Sequence, residues 1–145
     1  MSLNRPLKSI PYQKVGPWPI TLKCMIELHN KTYTCPVDVT LGFVGGKWKI
    51  LILSHLLQFG DRSYSDIRKN LPAISEKMLS QQLKELERDK LITKTVISEK
   101  PYRVEYLLSE TGRTLSPLFD FLSEWGMKYL KQHGIDYIKD QHLYK

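Results

Sequence analysis

The chain has 145 residues, of which 41% are hydrophobic and 26% charged, and its net charge is +7. This length suits one domain with or without an arm, and the two fractions are close to those of folded globular proteins, which excludes wholesale disorder. No apolar run approaches the roughly 20 residues of a membrane span, no secretory signal is visible, and two cysteines exclude a disulfide framework, so we expect a cytoplasmic protein.

Residues 1–34 are predicted to form a basic arm. They carry five Lys or Arg against one Glu, and four prolines within residues 1–19 forbid a regular helix there. Apolar residues alternate from Ile20 to Leu28, which predicts a half-buried strand, and the chain then turns near Asn30 and returns. The basic excess favours an anionic partner, nucleic acid or a membrane surface, although solubility alone also explains it.

Two helices are expected next. Pro36 is preorganised for a first helical position and predicts a short helix to about Val44. Gly45-Gly46 interrupts it, and a second helix runs from Lys47 to about Leu57. Because apolar residues lie around most of the second helix, we expect it to be buried at the centre of the domain.

Two small amphipathic helices follow, joined by a short link. The first begins at Ser63 or Tyr64 and ends at Pro72, with Ile67 and Leu71 facing inward. The second is predicted from Glu76 to about Asp89, and Ser75 is a good N-cap for it. Its apolar residues are spaced as one stripe, which consists of Leu79, Leu83 and Leu86. Such a pair of helices predicts a helix-turn-helix.

A hairpin and a final helical region complete the chain. Strands are predicted from Leu91 to Ile97 and from Arg103 to Leu108, with residues 98–102 as the turn. Ser109 is expected to cap the last helical region, and Pro117 either kinks that helix or marks its true start after Ser116. Apolar residues recur there at helical spacing, namely Leu115, Leu118, Phe119, Leu122, Trp125 and Tyr129. Residues 134–145 are predicted to be a tail.

This order predicts a mainly α winged helix-turn-helix with a small β-hairpin wing. A helix fits the major groove of DNA, and only its solvent side can read bases. With the leucines inward, one side of the second small helix is basic or hydrogen-bonding. We call that side the polar face, and it consists of Lys77, Ser80, Gln81, Lys84 and Arg88. Gln can pair with adenine and Lys can reach guanine, whereas the alternative is an ordinary solvated helix face.

The wing tip offers two more cations. Lys100 and Arg103 are placed for phosphate or minor-groove contact. As alternatives, Lys100 is a solvated turn residue and Arg103 pairs across the hairpin with Glu99 or Glu105. The predicted DNA-binding residues are therefore Ser75, Lys77, Ser80, Gln81, Lys84, Lys100 and Arg103.

The ordered motifs of the chain resemble those of the HxlR-type transcriptional regulators over about residues 35–126. The motifs are Cys35-Pro36-Val37, Gly45-Gly46-Lys47-Trp48, Tyr64-Ser65-Asp66-Ile67, Ile74-Ser75-Glu76-Lys77-Met78-Leu79, Leu83-Lys84-Glu85-Leu86-Glu87, Arg103-Val104-Glu105-Tyr106, Thr111-Gly112 and Glu124-Trp125. The resemblance implies a dimeric DNA-binding repressor or activator. It implies that the helix after Ser75 enters the major groove, the wing tip lies along the backbone, and the terminal helices form a homodimer. Residues 1–34 do not match the family.

Cys35 is a candidate redox sensor. It lies at a predicted helix N-terminus, where the helix dipole favours the thiolate. Some members of the family that the chain resembles sense oxidants with a cysteine at this place, so the resemblance implies the same role for Cys35. The alternative is a small, packed, inert residue. A zinc set of Cys24, His29 and Cys35 has unfamiliar spacing and carries little weight.

We therefore predict a sequence-specific DNA-binding regulator that acts on double-stranded DNA as a homodimer. Its predicted domains are the arm (1–34), a winged helix-turn-helix with a dimerisation helix (35–133) and the tail (134–145). The alternative is a winged-helix module that binds proteins and no DNA, which the glutamates flanking the polar face leave open. No phosphate-binding glycine loop and no nucleophile–base spacing is visible, so we expect neither an enzyme nor a cofactor nor a metal.

Overall fold

The computed structural model describes residues 25–135. The chain divides into two compact units, Met1–Gly42 and Phe43–Lys145, which are described separately. The predictions for residues 1–24 and for most of the tail fall outside the described residues. The division into arm, DNA-binding domain and tail stays a prediction.

The first unit contains a small antiparallel hairpin. Strands β1 (Ile26–Leu28) and β2 (Lys31–Tyr33) pair with Leu28 opposite Lys31. His29 and Asn30 form the turn with φ of 52° and 60°, the positive values that a tight two-residue turn matching the strand twist requires. The predicted return of the chain is confirmed.

Helix α1 (Pro36–Val44) has the predicted bounds. Its first turn is secured by Asp38, whose carboxylate accepts from the backbone N–H of Thr34 at 2.8 Å. Helix α2 (Lys47–Phe59) begins after Gly46, whose φ of 87° is a conformation that glycine adopts without strain. The predicted break between the two helices is therefore confirmed.

The helix-turn-helix is formed by α3 (Tyr64–Asn70) and α4 (Glu76–Arg88). Helix α4 begins after its predicted cap, Ser75, and α3 begins at Tyr64, one of its two predicted starts. The hydroxyl of Ser63 accepts from the N–H of Asp66, and the hydroxyl of Ser75 accepts from the N–H of Met78, each at 3.1 Å. Each cap satisfies a backbone donor that the first helical turn leaves unpaired.

The second unit also contains a three-stranded antiparallel sheet in the order β3-β5-β4, made of β3 (Arg62–Ser63), β4 (Ile92–Glu99) and β5 (Tyr102–Leu108). The predicted turn at 98–102 is too wide, because Ser98 pairs with Arg103 and Glu99 with Tyr102, which leaves only residues 100 and 101 to turn. Strand β3 was not predicted, since two residues cannot show an alternation.

Helices α5 (Glu110–Arg113) and α6 (Ser116–Gln132) end the described chain. Pro117 lies in the first turn of α6, so it marks the start of the helix rather than a kink. Ser109 caps α5 by accepting from the N–H of Gly112 at 2.9 Å. A Cβ on Gly112 would overlap the carbonyl oxygen of Leu91, so this close approach requires glycine.

The core of the second unit lies between α2, α4 and the sheet. The leucine stripe of α4 is fully buried, with Leu79, Leu83 and Leu86 at 0%, 1% and 0% exposure. Ile52 and Leu53 of α2 are equally buried. The predicted central position of α2 and the inward stripe of α4 are both confirmed.

Candidate nucleic-acid interface

The polar face of α4 turns toward solvent opposite the leucine stripe. Lys77, Gln81, Lys84 and Arg88 are exposed, whereas Ser80 is half-buried. The carboxylate of Asp89 accepts from the Arg88 guanidinium at 3.0 Å. The face therefore offers two cationic side chains without an ion-pair partner in the described chain and one exposed amide.

The start of α4 is held by α3. The Tyr64 hydroxyl donates to the backbone carbonyl of Glu76 at 3.2 Å and shares a hydrogen bond with the Ser80 hydroxyl at 3.2 Å. The Arg68 guanidinium also pairs with the Glu76 carboxylate. Ser80 is therefore partly turned toward α3, and Tyr64 is a positioning residue that sequence reasoning did not identify.

The end of α4 is held by a lysine of α2. The Lys49 ammonium lies 2.9 Å from Glu85 Oε2 and 4.0 Å from Asp89 Oδ2. Lys49 is only 8% exposed, so a charged residue is buried on the helix that apolar patterning assigned to the core. A lysine within an apolar helix was the available signal, but the sequence does not reveal its partner 36 residues away.

The ion pair keeps Glu85 charged. Hydrogen bonding from Lys49 lowers the pKa of Glu85 most, with a further contribution from the Gln81 amide, and outweighs the opposing effect of burial. Glu85 is therefore a carboxylate at neutral pH, able to accept hydrogen bonds but not to donate them.

The wing tip is exposed from Glu99 to Arg103. Lys100 and Arg103 are both exposed as expected, and Tyr102 between them is 63% exposed. No carboxylate of residues 25–135 lies within salt-bridge distance of the Arg103 guanidinium, so the alternative of a pair with Glu99 or Glu105 is not what the structure shows. Tyr102 was not among the predicted contacts, because the sequence placed it within the turn.

His55 is a packed histidine of α2. It is 7% exposed, and its ring lies 4.8 Å from that of Phe59. Burial, helped by the charge of Arg62, lowers the pKa of His55. It is neutral at pH 7 and has no place at the interface.

Cys35 is a half-buried free thiol at the start of α1, where its carbonyl accepts from the N–H of Val39 at 3.1 Å. No three His, Cys, Asp or Glu side chains cluster as metal ligands in the described chain, and Cys24 falls outside it. None of the helices between residues 25 and 135 is long and apolar enough to cross a membrane.

Comparison with known proteins identifies the fold. The HxlR-like helix-turn-helix family matches residues 43–134. The chain is 46% identical over 95 residues to the uncharacterized HTH-type transcriptional regulator YdeP of Bacillus subtilis (strain 168), covering 66% of this chain and 73% of the relative.

Two solved structures are also similar. A crystal structure of a putative HTH-type transcriptional regulator, ytcD, is 44% identical with a TM-score of 0.63, covering 66% of this chain and 97% of that one. The redox regulator HypR in its oxidized form is 40% identical with a TM-score of 0.61, covering 65% and 96%.

We predict that Lys49→Met destabilises the protein by about 1–3 kcal/mol at pH 7, because it leaves Glu85 and Asp89 without their cation. Because the pKa of Glu85 is lowered in the folded chain, this contribution is fully present above the ordinary pKa of a glutamate and is lost as the pH falls through the lower folded-state pKa. Denaturant unfolding of both proteins at pH 7 and at about pH 3 measures it. Lys84→Met, an exposed change on α4, is the control and should alter stability by less than about 0.5 kcal/mol. A deficit of Lys49→Met that is equal at both pH values would contradict the assignment.

Proposed function

Because the chain belongs to the HxlR-like helix-turn-helix family, we propose that it is a transcriptional regulator that binds double-stranded DNA sequence-specifically as a homodimer. The observation that carries this proposal is the polar face of α4, which is exposed apart from the half-buried Ser80 and lies on a helix fixed near its two ends by Tyr64 and Lys49. A rigid helix fits the major groove of DNA, and lysines and an amide on its solvent side can hydrogen-bond to the base edges there. The protein acts in the cytoplasm, where bacterial-type regulators meet DNA, and performs no catalysis.

In this proposal α4 enters the major groove and the wing contacts the backbone. Lys77 and Gln81 lie in the first two turns of α4, the end that reaches base edges in helix-turn-helix docking. Lys100 and Arg103 at the wing tip neutralise phosphates, and Ser75 also offers its backbone at the helix N-terminus. The proposed DNA contacts are Ser75, Lys77, Ser80, Gln81, Lys84, Lys100 and Arg103.

The exposed surface of α6 supports the homodimer. Leu115, Leu118 and Phe119 pack against their own core, whereas Trp125 is 60% and Phe121 is 65% exposed. Helix α6 has no buried residue. The Trp125 and Tyr129 rings stack with centroids 5.4 Å apart. Exposed apolar and aromatic side chains gathered on one helix are typical of an interaction surface, and a second copy would cover them.

We propose that Cys35 makes the regulator responsive to oxidants. Its half-buried thiol at the N-terminus of α1 and the similarity to the redox regulator HypR support this.

We predict that Lys100→Ala reduces the salt dependence of DNA affinity by about one phosphate contact, because binding releases one counterion fewer. Lys100→Arg is the control and should keep the slope.

Gln81→Ala is expected to lose sequence preference while the slope stays unchanged. Fluorescence anisotropy on a duplex selected from random sequences, measured across a salt series, tests both. Unchanged binding in both variants would refute the docking, and recovery of a protein partner without any DNA binding would favour the interaction module.

We predict that Trp125→Glu converts the dimer to a monomer, because it buries a charge in the apolar surface of α6, and that it weakens DNA binding at least tenfold by uncoupling the two half-sites. Light scattering during gel filtration measures the mass. Ser123→Glu adds the same charge to an exposed position of the same helix and should leave the mass unchanged. A dimeric Trp125→Glu would place the interface elsewhere.

We predict that Cys35→Ser retains DNA affinity but loses its response to peroxide, because the variant lacks the sensing thiol. The affinity is measured before and after peroxide treatment. Cys24→Ser, which removes the other cysteine of the chain, is the matched control and should still respond. A full response in Cys35→Ser would end the sensing role.

A further inference from the structure

We propose that Glu85, held by Lys49, fixes the orientation of the Gln81 amide and thereby determines which base Gln81 selects. Lys49 and Glu85 are then positioning residues for base recognition, although neither is among the proposed DNA contacts. This inference rests on the proposed function.

The two oxygens of the Glu85 carboxylate are used separately. Oε2 lies 2.9 Å from the Lys49 ammonium, and Oε1 accepts from Gln81 Nε2 at 3.2 Å. The Lys49 side chain is 10% exposed and the Glu85 side chain 28% exposed, whereas Gln81 lies on the solvent surface. The carboxylate therefore connects a buried cation of α2 to an exposed amide on the polar face.

This connection permits one orientation of the amide. An ionised carboxylate only accepts hydrogen bonds, so only the NH₂ end of Gln81 can face Glu85. The flipped amide would place its carbonyl oxygen against the carboxylate, with no hydrogen between them. Lys49 holds the carboxylate in place because a buried ammonium needs its acceptor.

The fixed amide presents its carbonyl oxygen and one remaining N–H to solvent. Adenine offers a donor at N6 and an acceptor at N7 in the major groove, which this pair matches. Guanine offers acceptors at both O6 and N7, and would face the carbonyl oxygen with another acceptor. Gln81 should therefore select A·T over G·C at the base pair that it contacts.

The Lys49 charge has a second consequence for binding. Glu85 lies on the helix that approaches DNA, and an isolated carboxylate there would repel the phosphates. Because the ammonium lies 2.9 Å away, the pair is close to neutral overall. The chain can thus keep an acceptor beside Gln81 without a large electrostatic cost.

The test uses the full chain and a duplex that it selects from random sequences. The contacted base pair is the position at which Gln81→Ala loses its preference, and affinities are measured for all four base pairs there. In Glu85→Gln the neutral amide can donate or accept, so Gln81 can adopt both orientations. We expect the preference for adenine over guanine to fall about five- to tenfold. Glu87→Gln removes the same charge from an exposed position of α4 and should keep the preference.

A further pair of variants separates positioning from structure. In the Gln81→Ala background, Glu85→Gln should leave the preferences at the other base pairs of the site unchanged, because there is no amide to orient. Glu85→Asp keeps the charge but shortens the side chain, so its oxygens cannot reach both partners and the preference should also fall. A wild-type adenine preference in both Glu85 variants would overturn the inference. So would a change of the other preferences by Glu85→Gln when Gln81 is absent, because Glu85 would then act on the helix as a whole.

The two proposals fail differently. A wild-type chain that selects no sequence overturns the proposed function, and this inference with it. If the wild-type chain selects a sequence and both Glu85 variants keep its adenine preference, this inference alone is overturned.

Discussion

The burial of the leucine stripe of α4 decides which of its side chains meet solvent. Leu79, Leu83 and Leu86 are packed in the core. Because they fix how α4 is turned about its own axis, Lys77, Gln81 and Lys84 are exposed together on the opposite side. Apolar contact is not directional, and by itself would allow α4 to rotate or slide by a fraction of a turn. The ion pair from Lys49 and the Tyr64 hydroxyl are directional, and they limit that freedom at opposite ends. Apolar packing thus determines which side chains of α4 are exposed, and the polar contacts fix the position of the helix more exactly.

Local signals in the sequence were sufficient for most of the helices. Pro36 and Ser75 mark starts that the structure reproduces, because a proline at a first position and a serine cap act within one turn of chain. Strand β3 and the true width of the wing turn were not predictable in this way. Residues 62–63 form a strand because they pair with β5, and the turn is narrow because the strands pair as far as Glu99 and Tyr102. These are tertiary effects, which a single stretch of sequence does not contain.

The candidate site shows the same division. The exposed positions of α4 followed from the leucine spacing, so the lysines and Gln81 were found. Their supports were not, because Lys49 and Tyr64 act on α4 from other helices and lie far from their partners along the chain. Ser80 illustrates the consequence, since helical spacing places it outward while the Tyr64 hydroxyl draws it partly toward α3. Spacing predicts direction, and only the fold shows which side chains are already engaged.

The junction between the end of α4 and the start of α5 connects the two roles proposed for the chain. The Ser109 hydroxyl donates to the carbonyl of Lys90 at 2.6 Å, and its N–H donates to the carbonyl of Leu91 at 3.0 Å. Gly112 lies directly against that second carbonyl. The segment that leads into α6 is thus hydrogen-bonded to the backbone just beyond α4, which restricts their relative motion. In a twofold assembly, this rigid junction would set the distance between the two copies of α4 in the major groove. It would thereby set the number of base pairs between the half-sites.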